Sequence, residues 1–229
     1  MPDPVQVRAM FGRIAGRYDL LNRTLSVGID QRWRKRVLAE AGEIEGRVLV
    51  DACCGTGDLA LAFAERGARV VGVDFTPQML TFARRKDASG GTLFAEGDAL
   101  KLPIVDAVAD FATVAFGIRN VADRVAGLAE LARVVKPGGR VFVLEFSMPP
   151  GKIMGGVYRT YFTRLLPVIG GKVSGDRGAY EYLPETVLAW PSPAELQSEM
   201  EGVGMVDCGY ALLTRGVACL SWGRIPTEG

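Results

Sequence analysis

Short apolar runs separated by stretches of helical period organise the middle of the chain. RVLVDAC (47–53), RVVGVD (69–74), GTLFAE (91–96), VADFATVAF (108–116) and GRVFVLEF (139–146) are rich in Val and Phe, the pattern of strands buried on both faces of a parallel sheet. Between them, DLALAFAERG closes on a glycine, TPQMLTFARRK opens on a Thr cap with Pro at the first helical position, and DRVAGLAELARVVKPGG stops at Pro and Gly. Repeated strand-helix units need right-handed crossovers, which predicts an open α/β sheet with helices on both faces. GMVDCGYALL and GVACLSWGRI lie too close together for an intervening helix, so the last two strands are expected to pair antiparallel.

Two segments fall outside the sheet pattern. Residues 1–46 read as helical pieces mixing aromatic and basic side chains, and the insert 148–191 shows apolar material without strand period. Apolar material above the strand ends is where a lid would be built. The chain has 229 residues, 48% of them hydrophobic and 23% charged, enough for one sizeable core and little more, so residues 1–229 are expected to form a single domain. Lys and Arg number 27 against 26 Asp and Glu, so no overall charge imbalance draws the chain to nucleic acid or to an anionic bilayer. No charge-free apolar stretch approaches 20 residues, and MPDPVQVRAM lacks the apolar core of a signal peptide, which leaves the cytoplasm as the expected location.

Histidine is absent, which excludes Ser-His-Asp hydrolysis, Cys-His proteolysis and His-built zinc sites. The four cysteines include no Cys-x-x-Cys, so no metal is expected; Cys53 and Cys54 read as small residues filling space beside a turn. That turn is the informative element. In an open α/β sheet ligands bind at the carboxyl ends of the strands, and DACCGTGDLA lies at such an end, with Gly55 and Gly57 allowing close backbone approach. GTGDLA fits the dinucleotide pattern G-x-G-x-x-G/A, and Asp74, 17 positions after Gly57, ends the next strand near the spacing at which a carboxylate grips ribose hydroxyls. Thr76 is expected to cap the following helix. A nicotinamide dinucleotide and S-adenosylmethionine both satisfy these features. The step EGDALKLP, of a kind that commonly edges an adenine in methyltransferases, the helix end KPGG leading into a fifth strand, and the hairpin finish favour the second.

Taken together, RYDLLNRTLSVGIDQRW (17–33), DACCGTGDLA, GDALKLP, FGIRN (116–120), RVVKPGGRVFVLEFS (133–147) and YEYLPETVLAWP (180–191) resemble the C-methyltransferases of ubiquinone and menaquinone biosynthesis over nearly the full chain. The resemblance implies a Rossmann-like class I fold: a mostly parallel seven-stranded sheet with an antiparallel last strand, plus a helical lid. It implies methyl transfer from S-adenosylmethionine to a ring carbon of a demethylated isoprenoid quinol, either demethylmenaquinol or the ubiquinone precursor. Carried over by position, Thr56 contacts the methionine portion of the donor, Asp74 the ribose, and Asp98 with Ala99 the adenine. Ala115 stands where many members have serine, which leaves only its backbone for contact. Asp30 stands where members carry histidine and reads as a cap for the helix QRWRKRVL.

A ring carbon attacks a sulfonium methyl only when a neighbouring hydroxyl loses its proton, and with a phenol pKa near ~10 only about a thousandth is ionised at neutral pH. Arg119 of FGIRN is the expected cation for the phenolate. Asn120 is expected to bond the second ring oxygen, or else to cap the helix that follows. Tyr18 and Asp98 are the candidate bases, Tyr18 lying with Asp19 and Asn22 in a segment that folds over the pocket. Residues 152–172 mix Tyr, Phe, Leu and Ile with Lys152, Arg159, Arg164 and Lys172, suiting an amphipathic lid that rests on the bilayer and admits a polyprenyl tail; a buried lid or a homodimer surface suits the same pattern. The competing readings are a tail-less phenolic acceptor, a nicotinamide oxidoreductase without a Tyr-x-x-x-Lys pair, and a donor-binding protein without turnover.

Overall fold

Strands β1 (Val48–Ala52), β2 (Arg69–Asp74), β3 (Leu93–Glu96), β4 (Ala109–Ala115), β5 (Val135–Phe146), β6 (Val206–Leu213) and β7 (Ala218–Arg224) form one sheet in the order β3-β2-β1-β4-β5-β7-β6. They belong to a computed structural model that describes residues 3–151, Gly156, Tyr158, Pro184 and 186–227. β1 to β5 pair parallel, and β7 runs antiparallel between β5 and β6. The expected antiparallel hairpin is therefore present, with its second strand inserted beside β5 and its first at the sheet edge.

Helices α1 (Pro4–Ile14), α2 (Tyr18–Leu25), α3 (Ile29–Ala41), α4 (Asp58–Ala64), α5 (Pro77–Lys86), α6 (Arg124–Val134) and α7 (Pro193–Gly202) complete the described elements, with short 3₁₀ turns at Ala15–Arg17, Ile118–Asn120 and Thr214–Gly216. Successive strand residues point to opposite faces, and β1 shows how the layers use this. Val50 and Ala52 pack into a cluster with Leu128, Leu131 and Val134 of α6 and with Leu196 and Met200 of α7. Leu49 points the other way, among Trp33, Val37 and Leu38 of α3 and Leu59, Ala60 and Phe63 of α4. Asp51 shares the Leu49 face and is 1% exposed. A carboxyl thus sits where the pattern of a doubly covered strand calls for an apolar residue.

One boundary differs from the sequence reading. α6 ends at Val134, and β5 runs through Lys136-Pro137-Gly138-Gly139 instead of starting after it. Val135 already pairs with Ala109, and the register then shifts, so that Arg140 lies opposite Phe111. Gly139 permits this bulge: a Cβ there would meet Val135 Cγ1 at 2.5 Å and the Asp110 carbonyl at 2.7 Å. The N-terminal segment is helical as expected. Most of the insert 148–191, including the 152–172 lid reading apart from Gly156 and Tyr158, lies outside the described residues. Among those described, no helix is long and apolar enough to cross a membrane.

The chain winds from β1 through β2 to β3 on one side, then crosses back to β4 and β5 on the other. The switch point between β1 and β4 opens at their carboxyl ends, the usual ligand crevice of such sheets. Both strands leave it through a non-glycine residue in the left-handed region, Cys53 (φ 51°) after β1 and Phe116 (φ 58°) after β4. Backbone strain of this kind concentrates at functional sites.

Candidate active site

The loop from Cys53 to Gly57 joins β1 to α4. Asp74, at the end of the neighbouring β2, holds it in place: Gly55 N–H donates to Asp74 Oδ2 at 2.9 Å and Thr76 N–H donates to Oδ1 at 2.8 Å. Burial pushes the Asp74 carboxyl above its usual pKa, while the two backbone donors pull it back. This corrects the expectation that Thr76 caps α5 with its side chain. Asp74 supplies the acceptor, and Thr76 Oγ1 makes no cap bond and is buried without a partner. Cys54 N–H donates to Val73 O at 3.0 Å, tying the loop to β2 a second time. Both loop cysteines are free thiols, and burial pushes their pKa values well up, so they fill space and do not act as thiolates.

A cavity opens over this loop. Gly55, Asp74 and Phe75 line one part of it, Gly97, Asp98 and Ala99 the next, and Gly117, Asn120 and Val121 the far wall, with Phe11 and Tyr18 of the N-terminal helices above. Five of the expected site residues thus meet: Tyr18, Gly55, Asp74, Asp98 and Ala99. Asn120 joins them. Its Oδ1 is buried without a partner, and the cap of α6 is Asp123, whose side chain accepts from Ala126 N–H at 3.0 Å. The capping alternative for Asn120 is removed. Burial raises the Tyr18 phenol above its usual value of 10.0, against a hydrogen bond with Asn22. Asp98 is exposed at the rim, its Oδ1 accepting from Leu100 N–H at 2.9 Å.

Two of the expected residues do not line this cavity. Gly57 lines neither cavity; its φ of 81° and the space taken by Ala83 Cβ and Phe94 Cζ, 3.1 and 3.2 Å from any added Cβ, show that packing of α4 against α5 and β3 requires the glycine. Arg119 does not present an open charge. Its Nη1 donates to Phe116 O at 2.6 Å and to both oxygens of Glu145, at 3.0 and 2.9 Å, and its guanidinium lies 5.4 Å from the Phe146 ring centroid. Glu145 is 1% exposed, and burial raises its pKa against the pull of Arg119. The pair is a buried strut that holds the strained Phe116 carbonyl and the turn carrying Asn120.

A smaller, polar cavity lies behind the loop, lined by Arg34, Asp51, Thr56, Asp58 and Ala115, and shares Tyr18, Cys53 and Gly55 with the larger one. Thr56 and Ala115 therefore belong to this end. Thr56 Oγ1 donates to Asp19 Oδ1 at 2.5 Å, and Lys86 Nζ reaches Asp19 Oδ2 at 2.8 Å and Asp58 Oδ1. Burial works against ionised Asp58, but the Lys86 ammonium prevails and holds the carboxyl low. Asp30 is no helix cap; Gly28 takes that place, and Asp30 accepts from Arg34 Nη1 at 2.7 Å and from Ser26 Oγ at 2.7 Å inside the protein. Sequence reasoning missed Phe75, Met79, Arg34 and Asp51 as lining residues. For Asp51 a signal existed, an acidic residue inside an otherwise apolar strand; for Arg34 none did.

The family model described as the ubiE/COQ5 methyltransferase family matches residues 3–224. A protein of Thermus thermophilus named demethylmenaquinone methyltransferase is 52% identical, covering 95% of this chain and 100% of its own length. One of the same name from Deinococcus radiodurans is 50% identical over 93% of this chain and 89% of its own, and a ubiquinone/menaquinone biosynthesis C-methyltransferase of Geobacter sulfurreducens is 43% identical over 96% and 88%. Among solved structures, a SAM-dependent methyltransferase of Thermotoga maritima superposes with a TM-score of 0.68 at 20% identity, covering 94% of this chain and 98% of that one. A Haemonchus contortus phosphoethanolamine N-methyltransferase in complex with S-adenosyl-L-methionine gives 0.64 at 14%, covering 85% and 52%. At such identities the structures speak for the fold alone, which is the expected class I methyltransferase sheet. With the family model matched almost end to end and a relative 52% identical over its whole length, the chain belongs to the ubiE/COQ5 methyltransferase family.

Proposed function

We propose that this protein methylates a ring carbon of an isoprenoid demethylquinol, demethylmenaquinol in the first place, with S-adenosylmethionine as donor. The observation that carries the reading is the similarity, over 100% and 89% of their lengths, to two proteins named demethylmenaquinone methyltransferase. The groove supports it with a suitable donor set. Asp74 is a buried carboxylate with lone pairs left for a ribose diol, Phe75, Ala99 and Leu100 offer apolar contact for a flat base, and Asp98 stands at its edge. Thr76 Oγ1 and Asn120 Oδ1 are buried polar atoms awaiting partners, which native interiors rarely leave unmet.

When bound, S-adenosylmethionine supplies an electrophilic methyl on a sulfonium. The chain's own part is to position the acceptor and manage one proton. Asn120 Oδ1 accepts from a ring hydroxyl and fixes the ring against the far wall. Arg119, through Glu145 and the Phe116 carbonyl, is a positioning residue for that turn. Asp98, at the wet rim, takes the proton of the other ring hydroxyl through water, leaving the phenolate whose ring carbon attacks the methyl, while Phe11, Phe75 and Val121 line the cavity beside the ring. Tyr18 stays protonated and closes the groove from above.

The test is label transfer from methyl-labelled S-adenosylmethionine to three acceptors: long-tailed demethylmenaquinol, the demethylated ubiquinol precursor, and a tail-less naphthohydroquinone. The first is expected to be the best substrate. Transfer to none of them removes the proposal, and preference for the tail-less phenol moves it to another acceptor class.

A further inference from the structure

Charge is spread unevenly along this nearly neutral chain. Residues 3–41, which build α1 to α3, hold eight Arg and Lys against four Asp and Glu, so the rest of the chain is net acidic. The four carboxyls are all engaged. Asp19 is tied to Thr56 and Lys86, Asp30 is buried against Arg34, Asp3 caps α1, and Glu40 bridges Arg36 and Arg140 at the far end of α3. Along α1, the 3₁₀ turn and α2, Arg13, Arg17 and Arg23 are exposed. Gly16 of that turn packs on Phe82 of α5, where an added Cβ would lie 3.4 Å from the ring, and the exposed Arg85 stacks on the same ring at 5.5 Å from its centroid. A fourth guanidinium thus joins the surface.

Apolar tips stand among these charges. Leu20, Arg23 and Thr24 share one face of α2 by their spacing of three and four, and all are exposed. Leu20 is 59% exposed, Val27 just past the helix 84%, and Val5 on α1 76%. Scattered single apolar side chains on a surface need no explanation. Here three sit on the two helices whose Pro4, Phe11 and Tyr18 line the active-site cavity. A cationic surface with projecting aliphatic side chains suits the headgroup layer of an anionic bilayer, where each Lys or Arg gains from the surface potential and each apolar tip from the acyl boundary. A nucleic acid would meet the same arginines, but Val and Leu tips give it no stacking surface.

Resting on the quinol reading above, we propose that the outer face of α1 and α2, with Arg85, docks this protein on an anionic phospholipid bilayer. The arginines meet the headgroups, Leu20 and Val27 reach below them, and the cavity under Phe11 and Tyr18 is brought beside the membrane that holds the acceptor. The assignment moves the membrane contact from residues 152–172, where the sequence pattern put it, to the N-terminal helices.

Co-sedimentation of the full chain with mixed phosphatidylcholine–phosphatidylglycerol vesicles, and with pure phosphatidylcholine vesicles, tests this without turnover. The wild type is expected to bind the mixed vesicles and to lose most of that binding in pure phosphatidylcholine or at high salt. Arg23→Glu with Arg85→Glu is expected to weaken binding roughly tenfold to hundredfold, and Leu20→Ser with Val27→Ser roughly tenfold with the salt dependence kept. Both variants are expected to hold wild-type affinity for S-adenosylhomocysteine, which reports an intact fold, and to lose methyl transfer to long-tailed quinol presented in vesicles. Wild-type binding that ignores phosphatidylglycerol overturns the inference, as does wild-type vesicle affinity in both double variants. Loss of binding in Arg159→Glu with Arg164→Glu alone returns the contact to the insert, and displacement of the vesicles by polyuridylate that the Leu20 and Val27 variant binds as well as the wild type reassigns the surface to nucleic acid; either result overturns it. Intact, phosphatidylglycerol-dependent docking with transfer to no acceptor removes the quinol reading and leaves the surface assigned.

Discussion

At Asn120 an amide oxygen lines the cavity with nothing to accept from, while one residue earlier Arg119 spends Nη1 on Glu145 and the Phe116 carbonyl. The two neighbours therefore fail differently when changed. Asn120→Ala is expected to lower kcat/KM for the quinol roughly tenfold to hundredfold, the loss of one substrate hydrogen bond, and to leave donor affinity unchanged by calorimetry. Arg119→Met strands Glu145 as a buried carboxylate and is expected to cost about 3–5 kcal/mol in urea unfolding; Arg119→Met with Glu145→Leu is expected to recover most of it. A purely catalytic Arg119 would instead leave stability intact. Asn120 was legible in the motif FGIRN, and so was the presence of a cation beside it. The partner of that cation was not, because Glu145 lies 26 positions away on β5 and nothing in its local pattern marks it for Arg119.

The helices were readable from their ends. Pro77 at the start of α5 and the glycine following α4 locate those elements, whereas α7, whose capping box pairs Ser192 with Glu195, was not read from the sequence. The β5 boundary was misplaced because Pro-Gly-Gly normally stops a helix, whereas here it builds a bulge within a strand. Contacts between elements are the harder part. Lys86 at the end of α5 gathers Asp19 of α2 and Asp58 of α4, and Asp19 in turn holds the Thr56 hydroxyl of the glycine loop. This clasp keeps the N-terminal helices over the groove, and no spacing rule reveals it. Lys86→Met is expected to speed amide exchange across residues 18–25 and to weaken donor binding about tenfold, with the sheet amides unaffected. Unchanged exchange in α2 would show that packing alone holds the helix.

For the molecule as a whole, the strand order and the switch point decide where chemistry sits, and the alternation of strands and helices announced both the sheet class and the loop that bears the site. The one internal carboxyl of β1 has a consequence for global stability. Burial drives Asp51 up to about 7, against the Thr113 hydrogen bond and the Arg34 charge. An unfolded Asp titrates near ~3.9, so between about pH 4 and 7 the native state holds a proton the unfolded state has released, and stability falls as pH rises across that window. Asp51→Asn removes this slope. The variant is expected to gain on the wild type by up to about 4 kcal/mol between pH 4 and pH 8, read from unfolding midpoints at each pH. A constant difference across that range would place the ionised carboxylate in the native state throughout.

The central claim is that one groove across the β1–β4 switch point holds the donor, its adenine beside Asp98 and its sulfur turned toward the wall that carries Asn120. The most direct measurement is a crystal structure of the full chain with S-adenosylhomocysteine. The account predicts ribose hydroxyls on Asp74, adenine beside Asp98 and Ala99, and the sulfur on the Asn120 side of the cavity. A nucleoside bound elsewhere, or a sulfur turned away from Asn120, contradicts it.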